Sequence, residues 1–273
     1  MARKLFCDLH PVTYWLSVKK CRLLRRIKNL FSTQKIARQQ VQELLPVLVA
    51  AYELTLCREA ECFDPLMERN KAHNVAIANR HISHLIIKPQ ETFSFWALVG
   101  SCSVKKGYLP AWVLRGNELT PGLGGGLCQI SNLIHYLVHH TMLTITEHHS
   151  HDSLDLYPEF GKQLPFGMGA SIVDDYKDFC FTNNTTDTYQ IILKIKGHDL
   201  YGEIRCSQKP AETWKVVPSA SYFTCEADGV YRNGKNEKHL IDEKTGQVLS
   251  AVTIKEYHAR VIYDTSNLFL VHC

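Results

Sequence analysis

Three consecutive glycines, Gly124-Gly125-Gly126, run directly into Leu127-Cys128-Gln129-Ile130-Ser131 and a strongly patterned segment. A glycine run is costly to order, so it implies backbone angles closed to other residues or close approach of another group. Ile130, Leu133, Ile134, Leu137 and Val138 share one stripe at helical periodicity, which predicts a core-facing helix over 127–142. Asn132, His135 and His139 fall within about 40° of Cys128 on the opposite face. The thiol therefore faces away from the stripe, where a cysteine serving only as a small hydrophobe belongs. At a helix start it meets the positive end of the dipole, which favours the thiolate. The backbone N–H groups over Gly125–Cys128 are the expected oxyanion donors. A phosphate loop is a poor fit, because no Lys-Ser/Thr follows the glycines.

A cysteine nucleophile needs a base, and Glu147-His148-His149-Ser150-His151-Asp152 follows an expected strand at Leu143–Thr146. Alternation puts His149 and His151 on one face and His148 on the other. The catalytic reading takes Cys128 as nucleophile, His151 as base and Gln129 as polar support. Asp152 is the orienting carboxylate, with Asp155, Asp174 and Asp175 as further candidates. Gly124, Gly125, Gly126 and Ser131 form the substrate loop. Thiol proteases and transglutaminase-like enzymes share this chain order, an analogy of arrangement alone. Two other chemistries compete. One is a non-catalytic ligand cleft, built from the glycine loop with Phe93, Phe95, Trp96, Tyr108 and Trp112. The other is zinc at His135 and His139, one helical turn apart but without the glutamate of the zinc-peptidase motif. Whether the chain is an enzyme stays open at this point, and no cofactor is expected.

Charge is unevenly placed. Residues 1–40 hold ten Lys and Arg against one acid, a net +9 in a chain of net +4, so the remainder is net −5. Within them, Leu16, Leu23, Leu24, Ile27, Leu30 and Phe31 recur at helical spacing among basic residues over 12–31. That pattern reads as a helix docked on the body with a solvated basic face, or as one lying on an anionic membrane surface. Nucleic acid is not expected as a partner, since no motif or interleaved aromatic pattern supports it. Further helices are expected at 34–60, kinked or restarted at Pro46, and at 68–87.

From Gly167 the periodicity becomes that of strands, at Ala170–Val173, Asp178–Thr182, Tyr189–Lys196, Tyr201–Arg205, Val252–Ile254 and Ala259–Tyr263, with a hairpin turn at Asp242–Val248. The fold class is α+β: N-terminal helices, a central glycine-led helix and a mainly antiparallel β C-terminal half. A basic helical region over 1–67, a core over 68–206 and a β-rich extension of the same body over 207–273 divide the chain. No export signal or membrane-spanning stretch is recognised. The ten cysteines then read as reduced thiols in a cytoplasmic protein, associated with a membrane surface if residues 12–31 bind lipid.

Five stretches resemble, in order, the VanW family, named from glycopeptide-resistance gene clusters. They are Lys88-Pro89-x-Glu91-x-Phe93-Ser94-Phe95-Trp96-x-x-Val99-Gly100, Lys106-Gly107-Tyr108, Gly124–Ser131, Leu164-Pro165-Phe166-Gly167-x-Gly169-Ala170, and Asp178-Phe179-x-Phe181-x-Asn183-Asn184-Thr185. They span roughly residues 70–205 and look like the family's short, stand-alone form. The resemblance implies an accessory link to glycopeptide resistance or the bacterial cell envelope, with a small molecule or peptide such as a cell-wall precursor as ligand. It brings no established activity. Gly124–Gln129 matches the family's glycine-cysteine-glutamine core residue by residue. The histidine cluster departs from the family's Glu-Arg followed by His-Ser. Alignment on Ser153-x-Asp155-x-Tyr157-Pro158 puts Asp152 at the family histidine, and alignment on Glu147 favours His151.

Overall fold

The fold is α+β with a β-rich C-terminal half, as expected from the sequence, but in the first half strands alternate with the helices. The structure, a computed structural model, describes residues 10–58, 64–115, 118–150, 154–156, 158–159, 161–174, 176–266, 268 and 270–271. Helix α1 (Pro11–Leu30) precedes β1 (Lys35–Ile36), β2 (Val47–Thr55), α2 (Pro65–Ile82), β3 (Leu85–Ile87), β4 (Glu91–Ser94) and a short α3 (Phe95–Val99). A hairpin, β5 (Pro110–Arg115) and β6 (Glu118–Leu123), leads through the glycines into α4 (Cys128–Val138). Then follow β7 (Thr144–Glu147), β8 (Leu154–Asp155), β9 (Cys180–Thr182), β10 (Tyr189–Lys196) and β11 (Asp199–Cys206). The chain ends with β12 (Thr213–Glu226), β13 (Gly229–Ile241), β14 (Val248–Val261) and β15 (Leu270–Val271).

One sheet has the order β2-β11-β10-β3, all antiparallel, and α2 and α4 pack on it. A second, β1-β4-β9-β7, completes the core, where Phe93, Phe179 and Phe181 bury together with Ile82, Ile130 and Leu133. The stripe predicted for α4 is the buried face: Ile130, Leu133, Ile134, Leu137 and Val138 are all sealed. The third sheet, β15-β12-β13-β14-β8, holds the body through Arg232. Its guanidinium meets Asp155 and Glu159 and lies over the Phe166 ring at 4.8 Å.

The helix expected at 34–60 is absent. Pro46 lacks an N–H and sits just before β2, and Val47–Thr55 pairs along its length with β11, from Cys206↔Val47 to Asp199↔Thr55. Long-range pairing outweighs a helical spacing carried partly by Val and Tyr, which also suit strands. The helix expected at 68–87 starts earlier and stops sooner. Asp64 caps it by accepting from the Leu66 and Met67 amides, and Pro65 is its first residue. At its end His84 takes φ 66°, which turns Leu85–Ile87 into β3. The strand expected at Ala170–Val173 lies outside every sheet, apart from one bridge of Val173 to Lys177. Val252–Ile254 and the first part of Ala259–Tyr263 belong to the single long β14, which ends at Val261, so Ile262 and Tyr263 lie beyond it.

Helix α1 docks in the reverse of the orientation expected for an amphipathic helix on a body. Arg25 is the buried anchor: it forks between Glu147 and Asp178, with Nη2 2.9 Å from Asp178 Oδ2. Asp178 also accepts from Ser94 Oγ (2.6 Å) and the Trp96 and Phe179 amides (3.1 and 2.9 Å). Burial pushes the Glu147 carboxyl up, but Arg25, the Asp178 amide and His149 outweigh it and hold it below the ordinary range.

Candidate functional site

Each glycine of the run has its own physical reason. Gly124 and Gly126 adopt φ 74° and 95°, conformations in which a side chain is strained. A Cβ on Gly125 would lie 2.5 Å from the carbonyl carbon and oxygen of Ala111 in β5, so this position needs glycine for close backbone approach. At Gly126 the alkyl chain of Lys71 from α2 crosses where a Cβ would stand. The loop is therefore wedged between the β5–β6 hairpin and α2, and it delivers Cys128 to the first position of α4.

The polar face of α4 is covered by main chain. Ser131 Oγ donates to Ala170 O (2.6 Å), Asn132 Oδ1 accepts from the Ala170 amide (2.6 Å), and His135 Nδ1 donates to Met168 O (3.0 Å). Cys128 Sγ, 3.8 Å from Ile172 O, is the last rung. This rail satisfies the backbone of Met168–Ile172, which has no sheet partner, and explains why that face of the helix is polar. Beyond the Cys128 rung the surface opens into a cleft of about 800 Å³.

The cleft brings together Gly124, Gly126, Cys128 and Gln129 with Cys102, Asp174, Trp96 and Trp112. Arg22 reaches it from α1, and Arg58, Glu68 and Lys71 also line it. Of the aromatics proposed for a ligand cleft, Trp96 and Trp112 line it, while Phe93, Phe95 and Tyr108 are buried in the core. Gly125 and Ser131 lie beneath the wall, both buried. Gly124 N–H donates to Leu109 O and Gly125 N–H to Gly122 O, both at 3.3 Å, so these amides are already engaged. The Gly126 and Leu127 amides have no backbone acceptor among the described residues. Gln129 Oε1 and Arg22 Nε are buried there without a hydrogen-bond partner among the described residues, an arrangement that calls for water or ligand.

Sequence reasoning missed Arg22, Arg58, Glu68 and Lys71 as cleft residues. A signal existed for one pair, Glu68 and Lys71, three residues apart on a helix; their Nζ–Oε2 distance is 2.5 Å. Burial lowers the Lys71 pKa against the pull of Glu68. Cys102 sits against Gly124, and burial aided by Asp174 pushes it up to about 12.

The histidines divide. His151 and Asp152 lie outside the described residues, as does Asp175. His149 Nε2 is 3.2 Å from Glu147 Oε1. His148 donates from Nε2 to Gly169 O (2.8 Å) and stacks on His135 with ring centres 4.2 Å apart. His135 spends its Nδ1 proton on Met168 O, so its Nε2 accepts from His139 Nε2–H at 3.1 Å. Burial and neighbouring imidazoles push His135 well below its ordinary value, and burial with Lys238 takes His139 down to about 3. The pair suggested for zinc is thus an imidazole–imidazole hydrogen bond, and among the described residues no group of three His, Cys, Asp or Glu is placed to hold a metal. Asp155 is committed to Arg232 and to Tyr263 Oη (3.0 Å), outside the cleft.

A family model described as VanW like protein matches residues 70–205. The chain is similar to the Vancomycin B-type resistance protein VanW of Enterococcus faecalis, at 28% identity over 222 residues, 81% of this chain and 80% of that protein. It is 28% identical over 152 residues to the Uncharacterized protein YoaR of Bacillus subtilis, 56% of this chain and 48% of that one. No solved structure matches.

Proposed function

The chain belongs to the VanW family, and on that premise we propose that it serves vancomycin-type resistance or cell-envelope metabolism as a cysteine-dependent enzyme acting on an acyl or amide bond. The substrate class is a peptidoglycan-related peptide or small molecule. One observation carries this reading: Cys128, at the start of α4 behind the glycine loop, stands on the wall of a cleft of about 800 Å³, the size of a ligand site. The thiolate attacks the carbonyl carbon and the electron pair moves to its oxygen, which the Gly126 and Leu127 amides would receive. As the oxyanion collapses the C–N bond breaks, and His151, which took the thiol proton, gives it to the departing amine. Water or an acceptor amine then releases the acyl group from the Cys128 thioester. Asp152 orients His151, and Gln129 steadies the substrate. Action in the cytoplasm fits seven described cysteines that are all free thiols.

A second reading, a non-catalytic ligand-binding module, is favoured by a different observation. No histidine among the described residues lines the cleft, whereas Trp96 and Trp112 do. Two substitutions separate the readings in a host whose glycopeptide susceptibility depends on this protein. If Cys128 is the nucleophile, Cys128→Ser lowers the effect by at least about a thousandfold in turnover and abolishes the phenotype. If the cleft only binds, Cys128→Ser behaves as wild type, and Gly125→Val, which fills the backbone contact with Ala111, is the one that fails.

A further inference from the structure

We propose that α1 is a bilayer-docking surface, seating the protein on anionic phospholipid with its cleft beside the membrane. Five described apolar side chains of α1 point outward, Leu23 60% exposed, Leu24 53% and Val12 56%, with Leu16 and Ile27 also exposed, while Val18 is half-buried on the side of Arg25. They fall within an arc of about 120° on the helix, and Phe31, 83% exposed at the C-cap, continues it. Arg25 and Arg22 lie on the opposite side, turned to the body and the cleft. An apolar stripe facing solvent is the inverse of a helix packed on a core, and it needs a partner.

Charge selects that partner. Helix α1 contains no Asp or Glu, and Lys19, Lys20 and Lys28 stand exposed within and beside the stripe. A second copy of the same face would set lysines against lysines, whereas anionic headgroups complement them while acyl chains take the leucines. The helix is not long and apolar enough to cross a bilayer, so it lies on the surface. Because Arg22 lines the cleft from the flank of this helix, a substrate anchored in the same bilayer is within reach of Cys128. That corollary rests on the catalytic reading; the docking itself does not.

Sedimentation of the full chain with vesicles tests the docking. Binding is expected to phosphatidylcholine vesicles containing about a third phosphatidylglycerol and not to phosphatidylcholine alone, and to weaken with salt. Leu23→Gln, Leu24→Gln and Ile27→Gln together should abolish it with an unchanged melting temperature, since all three side chains are exposed. Lys19→Gln with Lys20→Gln should weaken it about thirtyfold. Cys128→Ser should bind as wild type, which keeps a failure of catalysis distinct from a failure of docking. Equal binding to both vesicle types, or none, overturns the proposal. So does a lipid-free dimer, seen by light scattering, that the triple glutamine variant disperses.

Discussion

Between pH 6.5 and about pH 5 the folded chain is expected to lose about 3 kcal/mol of stability, chiefly through His135 and His139. Both are held neutral in the folded state, far below their ordinary value of 6.5, by burial first, then by the adjacent imidazoles for His135 and by Lys238 for His139. The unfolded chain takes up protons below pH 6.5 and the folded chain does not, so acid favours unfolding. Stability from these groups is complete above the unfolded pKa and is lost as pH falls toward the folded one, at up to about 1.4 kcal/mol per pH unit for each. His140, also lowered mainly by burial, adds in the same direction. Urea midpoints at pH 7.5, 6.5 and 5 measure the slope. His139→Gln, which preserves a donor toward His135, should remove about half of it. A stability flat across this window would mean that the histidine stack is hydrated and protonated in the fold.

Arg25→Met is expected to cost about 3 kcal/mol and to free α1 from the body. The side chain keeps its length and apolar stem but loses the fork that neutralises Glu147 and Asp178. Asp178 is almost fully buried and would retain only its neutral donors, Ser94 and the Trp96 and Phe179 amides. Breaking one partner of a buried ion pair strands the other charge, which is why the loss exceeds that of a surface bridge. Urea unfolding reads the energy, and faster tryptic cleavage at Lys19 and Lys20 reads the release of the helix. A variant within about 0.5 kcal/mol of wild type, with unchanged cleavage, would show that α1 is held by other contacts.

Some of this was legible in the residues. The α4 stripe and the β10–β11 hairpin were readable because local period and burial agree there, with Gly197 making the turn at φ 59°. The 34–60 segment misled because its apolar residues suit either period and only pairing with β11, about 150 residues later, decides. The polarity of the Asn132 and His135 face was legible, but its purpose was not. It serves the backbone of Met168–Ile172, an extended segment without a sheet, and that partnership is invisible to helical periodicity. The glycine loop and Cys128 stood out from composition alone. The cleft around them draws on α1, α2, the β5–β6 hairpin and Asp174, residues far apart in the chain, so Arg22 and Arg58 carried no mark and the Glu68–Lys71 spacing marked only a pair on one helix.

A single titration bears most directly on Cys128 as a reactive cleft thiol: site-resolved iodoacetamide alkylation of the folded protein across pH. Cys102, pushed up to about 12, and the buried Cys180 and Cys206, also raised by burial, serve as internal references. Cys128 is expected to be modified first, with an inflection well below the ~8.5 of a free thiol. Alkylation no faster than a model thiol, with its inflection near ~8.5, contradicts an activated nucleophile and leaves the cleft as a binding site.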